Sequence, residues 1–455
     1  MKSFKSTLAL LGVLALLIAW YAVYENKLRP QQKEQEENSK LFISTPREAI
    51  QEITVLQRQG EPKDAKYRNV TLKKTGTDWN LTSPLEDLAD SEAVDGILST
   101  LTTSKQDRVV DEKPADLEPF GLKTPKLKIL VKKDSASPPQ ELWIGDDTTV
   151  GAGVYAKLAS EPQVYRGAEA LRSGFEKDPS HFRNKKILTL SRPDISEMEV
   201  RTGGENFVLK RTEGEHWTLA REGLPASVSE VNKLIAALVD LKATGFATEK
   251  TDALGKFGLA PAGVTISVKQ KDATHLLMLG KVGDKYYAKR ADRPVVFEVA
   301  KDAYDKAARP AKDFRDLKLS GFNRFNIRRV VFERGKDKVE FTKPENDWKL
   351  SADVSAAVDN SKVEDYLSRL QDIKVTGFSA AGTKLTTTDL TVRLFEKRAD
   401  KETEALTLNL QKPAGKQALG MRSGLDRAFT LSEEDFKKVN AFKQEFLQAE
   451  KPKKE

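Results

Sequence analysis

The sequence predicts an α+β chain: an N-terminal transmembrane helix, then three tandem repeats of strand pair, helix, antiparallel meander and closing helix. Three observations carry this expectation. Tryptophan recurs with leucine two residues later, at Trp79-Asn80-Leu81, Trp217-Thr218-Leu219 and Trp348-Lys349-Leu350. About 15 residues after each Trp the same apolar stripe appears at helical spacing. Strict period-two alternation of branched residues then marks strands behind each helix.

The N-terminus is taken first. Residues 1–6 carry Lys2 and Lys5 and read as a cytoplasmic head. Residues 7–24 contain no charged side chain, a run spanning about 27 Å at helical rise, close to the hydrocarbon thickness of a bilayer. It ends in Trp20, Tyr21 and Tyr24, aromatics that settle at membrane interfaces, rather than in the small residues of a cleavage site. An uncleaved signal-anchor is therefore expected. Lys27, Arg29 and Lys33 follow the run, so local charge does not set orientation. The long downstream chain favours a single-pass protein of the inner membrane with its bulk extracytoplasmic, in the periplasm. Residues 25–44 form a polar stalk, and residues 448–455, rich in lysine, a disordered tail.

The repeat units are expected at residues 45–190, 191–319 and 320–447. Each opens on strand-like alternation before its Trp: Val70/Leu72, Phe207/Leu209 and Val339/Phe341. The helical stripes are Val94, Ile97, Leu98, Leu101; Val231, Leu234, Ile235, Leu238; and Val363, Tyr366, Leu367, Leu370. Each falls at i, i+3, i+4, i+7, which places one apolar face on a helix. Ser227 with Glu230 and Ser361 with Glu364 match the S-x-x-E capping box; Asp90 or Ser91 caps the first helix. Units one and two then share Phe120-Gly121-Leu122 and Phe257-Gly258-Leu259, each followed by a proline, Pro125 and Pro261. Leu127, Ile129, Val131 and Val264, Ile266, Val268 are the next strands. The strands after them end in glycine, at Gly145 and Gly280. Both units close on a Phe-Arg pair, Phe182-Arg183 and Phe314-Arg315. The third unit is degenerate. It lacks Phe-Gly-Leu, uses Leu390, Val392, Leu394 and Leu406, Leu408, Leu410 as meander strands, and ends in a helical stretch, 432–447, with no Phe-Arg pair.

Composition narrows the chemistry. The absence of cysteine excludes disulfides, thiolate metal sites and cysteine nucleophiles. Lys plus Arg number 76 against 68 Asp plus Glu, a net charge of +8 over 455 residues. That is far from a nucleic-acid-binding signature, and the basic pairs Lys73-Lys74, Lys185-Lys186 and Arg328-Arg329 are not grouped with aromatics. The three histidines, His181, His216 and His275, stand apart without metal-ligand spacing. Gly151-Ala152-Gly153 lacks the lysine and helix of a phosphate loop and reads as a hairpin turn. Asp146-Asp147 and Glu433-Glu434 read as solvated acids. No catalytic residue, cofactor or metal is assigned. The three Trp rings read as core residues rather than as exposed platforms for a glycan, and the Phe-Gly-Leu segments as turns.

This combination of signal-anchor, Trp-x-Leu before a capped helix, Phe-Gly-Leu-x-x-Pro before a strand and closing Phe-Arg resembles a bacterial family of domains of unknown function, family 4340. The resemblance covers most of residues 45–320 and is weaker over 320–447. It implies a membrane-anchored protein with the domain in tandem, often encoded beside ABC transporters similar to those of gliding motility. It supplies no catalytic residues. The expected function is a non-catalytic accessory or scaffold protein associated with transporter subunits or other envelope proteins. The alternative is a protein that binds or hydrolyses an envelope polymer such as cell-wall glycan.

Overall fold

The computed structural model describes residues 20–21, 41–398 and 401–448. Two compact units divide the chain between Lys186 and Ile187, and three antiparallel sheets run through them in series.

In the first unit the sheet runs, edge to edge, through Asp87–Leu88, Asp78–Ser83, Lys66–Thr75, Glu52–Gln59, Leu127–Lys132, Gln140–Asp147, Val154–Leu158, Val164–Gly167 and Arg108–Asp111. Strands made before the long helix Ser91–Thr103 form one half of the sheet and strands made after it form the other. The two halves meet where Val55 lies opposite Ile129. The strand that directly follows the helix crosses to the far edge, pairing Arg108 with Arg166. Inward residues Val55, Val70, Ile129 and Leu142 share one core with the helix stripe Val94, Ile97, Leu98 and Leu101. Each such side chain contributes roughly 1.5–3 kcal/mol when fully buried. Leu142 and Ile144 face this core while Trp143 between them joins a smaller cluster with Leu122 and Tyr155; alternation therefore gives the sheet a second apolar patch on its other face.

The second sheet repeats the order with Leu224–Ala226, Trp217–Leu219, Glu205–Arg211, Ile195–Thr202, Val264–Gln270, Ala273–Val282, Lys285–Arg290, Val296–Val299 and Ala243–Thr248, around the helix Val228–Val239. The third has eight strands and lacks the outermost one: Lys349–Leu350, Asp337–Thr342, Ile327–Arg334, Leu390–Arg398, Lys401–Ala414, Gln417–Arg422, Phe429–Ser432 and Gly377–Phe378, around the helix Asn360–Asp372. The second and third sheets lie within one compact unit. Phe378 packs against the cores of both, and the guanidinium of buried Arg427 donates to the carbonyl of Glu222.

The structure corrects the expected class. The chain is mostly β, with three large antiparallel sheets, and no helix among the described residues is long and apolar enough to cross a membrane. The expected span at residues 7–24 lies outside the described residues except for Trp20 and Tyr21, which are exposed.

Two physical causes moved the class. First, each unit begins with a long central strand whose pattern is broken. In Glu52–Gln59 the third inward position is Gln57, buried and donating to the carbonyls of Phe175 (2.8 Å) and Lys177 (2.7 Å). In Ile195–Thr202 and Ile327–Arg334 a register shift near the strand start disturbs the period of two. Second, the closing helices are short. The first unit offers only Ala170–Ser173, then a 3-10 turn, Pro179–Phe182, because Gly174 and Pro179 interrupt the stretch.

Candidate functional site

The landmark residues recur at equivalent places. Leu81, Leu219 and Leu350 lie opposite Leu72, Leu209 and Phe341 on the neighbouring strand. The backbone N–H of each long helix's capping residue, Asp90, Ser227 or Asp359, donates to the carbonyl of a buried phenylalanine, Phe182, Phe314 or Phe446, at 2.8 Å each. Phe446 is thus the third member of the closing set, and Leu447 stands where Arg183 and Arg315 stand. Arg183 and Asp87 form a buried ion pair at 2.8 Å, with side-chain exposures of 4% and 8%. Arg315 pairs with Glu222 at the same distance, with a quarter or more of each side chain exposed.

The Phe-Gly-Leu segments are left-handed turns closing short 3-10 helices, with φ of 64° at both Gly121 and Gly258. Each turn presses onto a glycine inside a meander strand, which runs on to Asp147 or Val282 rather than ending at the glycine as expected. A Cβ at Gly145 would overlap the carbonyl oxygen of Phe120, and one at Gly280 that of Phe257. The rings stack edge-on, Phe120 on Tyr155 at 5.1 Å and Phe257 on Tyr287 at 5.0 Å. Gly145→Ala is expected to lower stability by about 1–3 kcal/mol through this backbone collision. Gly96→Ala, mid-helix with open space around it, should raise it by roughly 0.5–1 kcal/mol. Urea midpoints of the two variants check the opposite signs.

The polar residues considered for chemistry are dispersed. Asp146 pairs with Lys126 (3.0 Å) and Asp147 with Arg172 (2.5 Å); Glu433 and Glu434 pair with Lys437 and Lys438. Burial, then Lys185 and Lys177, hold His181 below the usual histidine range. Among the described residues no three His, Asp or Glu side chains gather to hold a metal ion. Gly151-Ala152-Gly153 lies in the turn between Gln140–Asp147 and Val154–Leu158, where Thr148 donates to the Gly151 carbonyl.

The tryptophans part company in their surroundings. Trp217 and Trp348 are 2% exposed, whereas Trp79 is only half-buried. A cation lies over each buried ring, and in the third unit an acid joins it. Arg211, opposite Trp217, lies over its ring at 5.0 Å. Lys343 lies over Trp348 at 5.7 Å, and Glu364 binds both the Lys343 ammonium (2.7 Å) and the Trp348 indole N–H (2.8 Å). Burial opposes the Glu364 charge, yet these two hydrogen bonds hold its carboxyl below the ordinary range. In the first unit the residue at the Glu364 position, next after the leading valine of the stripe, is Asp95. It is one methylene shorter and is held by Arg47 at 2.6 Å. Lys74, opposite Trp79, therefore has no acid partner among the described residues, and the Trp79 indole N–H no acceptor there.

The outcome is a cleft of about 460 Å³ beside Trp79, rimmed by Arg47, Lys74, Asp78, Asp95 and Asn184. Sequence reasoning treated the three Trp positions as alike. What sets the first unit apart from the third is Asp95 in place of Glu364, and from the second Lys74 in place of Arg211, whose guanidinium covers Trp217; neither is legible until the units are aligned.

Serial sheets built on one plan, with the same tryptophan, helix and closing phenylalanine in each, define a tandem-repeat protein. The chain belongs to the family described as Domain of unknown function (DUF4340), whose family model matches residues 79–223 and 217–397. Each matched stretch starts at a Trp-x-Leu strand, partway through a sheet, so the family period is offset from the structural one. Neither the curated proteins nor the solved structures contain a match to this chain.

Proposed function

We propose that the protein is a non-catalytic accessory or scaffold protein, attached to the inner membrane by its apolar N-terminal run, with its bulk extracytoplasmic and in contact with an ABC transporter. The observation that carries this reading is what the repeats keep. The recurring residues (Phe, the paired glycines, the Arg–acid pairs, and the buried Trp of the second and third units) hold the fold together, and the acids Asp146, Asp147, Glu433 and Glu434 are each tied in an ion pair, the two sets far from one another along the chain. Repetition of a framework multiplies surface for contact and, beside a membrane, raises the effective concentration of whatever it holds. The transporter partner comes from the resemblance to the family alone.

Crosslinking in intact cells, followed by purification of the full-length chain, is expected to recover a transporter permease or its substrate-binding partner. Purified protein should release no product from cell-wall glycan, nucleotide or peptide. Turnover that disappears on replacing one carboxylate would establish a hydrolase instead.

A further inference from the structure

The geometry points to the Trp79 cleft of the first unit as a binding site for a neutral saccharide, a function the other two units have closed off. The cleft's polar groups lack partners that the third unit supplies. In the third unit a cation covers the tryptophan ring and a glutamate takes up both that cation and the indole N–H. In the first unit the neighbouring strands Lys66–Thr75 and Asp78–Ser83 present Lys74, the Trp79 indole N–H and the carboxylate of Asp78, none with a side-chain partner among the described residues. Asn184 adds an amide whose oxygen is already taken by the Lys186 N–H, leaving its NH2 as donor.

The ligand class follows from this inventory. A half-buried indole with donors and acceptors around its edge matches a molecule that has an apolar face and a polar circumference. A pyranose ring is such a molecule: its axial C–H groups form the face, held by dispersion against the ring, and its equatorial hydroxyls both donate and accept. Charge argues the same way. Arg47 and Asp95 neutralise each other, and the free ammonium of Lys74 stands near the carboxylates of Asp78 and Glu48. Neither a polyanion nor a polycation finds a matching field there. The volume lies in the range of small-ligand clefts. This site is independent of the accessory role, since it needs neither a transporter nor a reaction.

The test uses full-length protein in lauryldimethylamine oxide, a detergent without a sugar headgroup. The probes are hexamers of β-1,4-linked N-acetylglucosamine, glucose and mannose. Saturation-transfer NMR should show saturable binding of at least one, with the strongest transfer to ring C–H protons. Trp79→Ala should weaken it about tenfold or more, and Asp78→Asn, on the exposed rim, should weaken it while leaving the melting temperature unchanged. Binding of none of the three hexamers, or binding that keeps its affinity in Trp79→Ala, overturns the assignment. If Trp79→Ala does not fold, Asp78→Asn decides alone: unchanged affinity there overturns it, and weakened affinity supports it.

Discussion

Replacing Trp217 with alanine is expected to destabilise the unit that begins at Ile187 by about 3–5 kcal/mol. The ring is 2% exposed and belongs to the core formed by Val231, Leu234, Phe297 and Phe314. Removing it leaves a cavity beneath Arg211, whose guanidinium is fixed by the carbonyls of Pro193 and Arg192 (3.0 Å each) and cannot swing in to fill it. Trp79→Ala should cost markedly less, because its ring is already partly hydrated. Hydrogen exchange of the amides in Val264–Gln270 for Trp217→Ala, and in Leu127–Lys132 for Trp79→Ala, reports each unit separately. Equal losses in the two variants would contradict the different settings of the rings.

The second large effect is electrostatic. Asp87→Ala removes the carboxylate from a pair in which both side chains are almost wholly out of water. Breaking such a pair costs about 3–5 kcal/mol, because a charge stays behind in a poorly solvating place. The corresponding Glu222→Ala acts on a pair a quarter or more exposed on both sides, where water takes over much of the solvation and about 1 kcal/mol or less is expected. Replacing Asp87 and Arg183 together by leucine should recover most of the loss, as the third unit illustrates with Leu447 at the arginine position. Chemical denaturation of the single and double variants gives the coupling directly.

The parts of the fold that the sequence disclosed are those governed by one local period. All twelve stripe residues of the three long helices are buried on the predicted face, since a helix shows its core side every three or four residues whatever lies beyond it. Capping was partly legible. Asp90, one of the two caps expected for the first helix, accepts from Ala93, and Ser227 accepts from Glu230, but the Glu230 carboxylate turns to Lys233 and Arg309 and does not close the box. The third helix, however, is capped by Asp359, which takes the Ser361 and Lys362 N–H groups and leaves Glu364 free for Trp348 and Lys343. The central strands were hidden because a buried glutamine and two register shifts interrupt their alternation, and the edge strands after each helix are too short or too polar to show a pattern. The cleft was illegible for a different reason. Part of its rim is the Arg47–Asp95 pair, a contact across 48 residues, and no local spacing records such a contact.

The glycine two residues short of the end of a meander strand and the turn that presses on it behave as the two halves of a latch. Neither half tolerates a side chain while the other is in place, so neither can drift alone; they must be lost together. The third unit has neither half. Register places Gln411 where Gly145 and Gly280 stand, one residue past the partner of the first meander strand's leading residue, and no Phe-Gly-Leu segment precedes that strand. In its stead the Gln411 side chain reaches out and accepts from the Thr386 N–H and hydroxyl at 3.2 Å each. A side-chain tether stands where the other units have a fitted backbone joint, and such a tether lets the incoming loop vary in length and composition without disturbing the sheet beneath it.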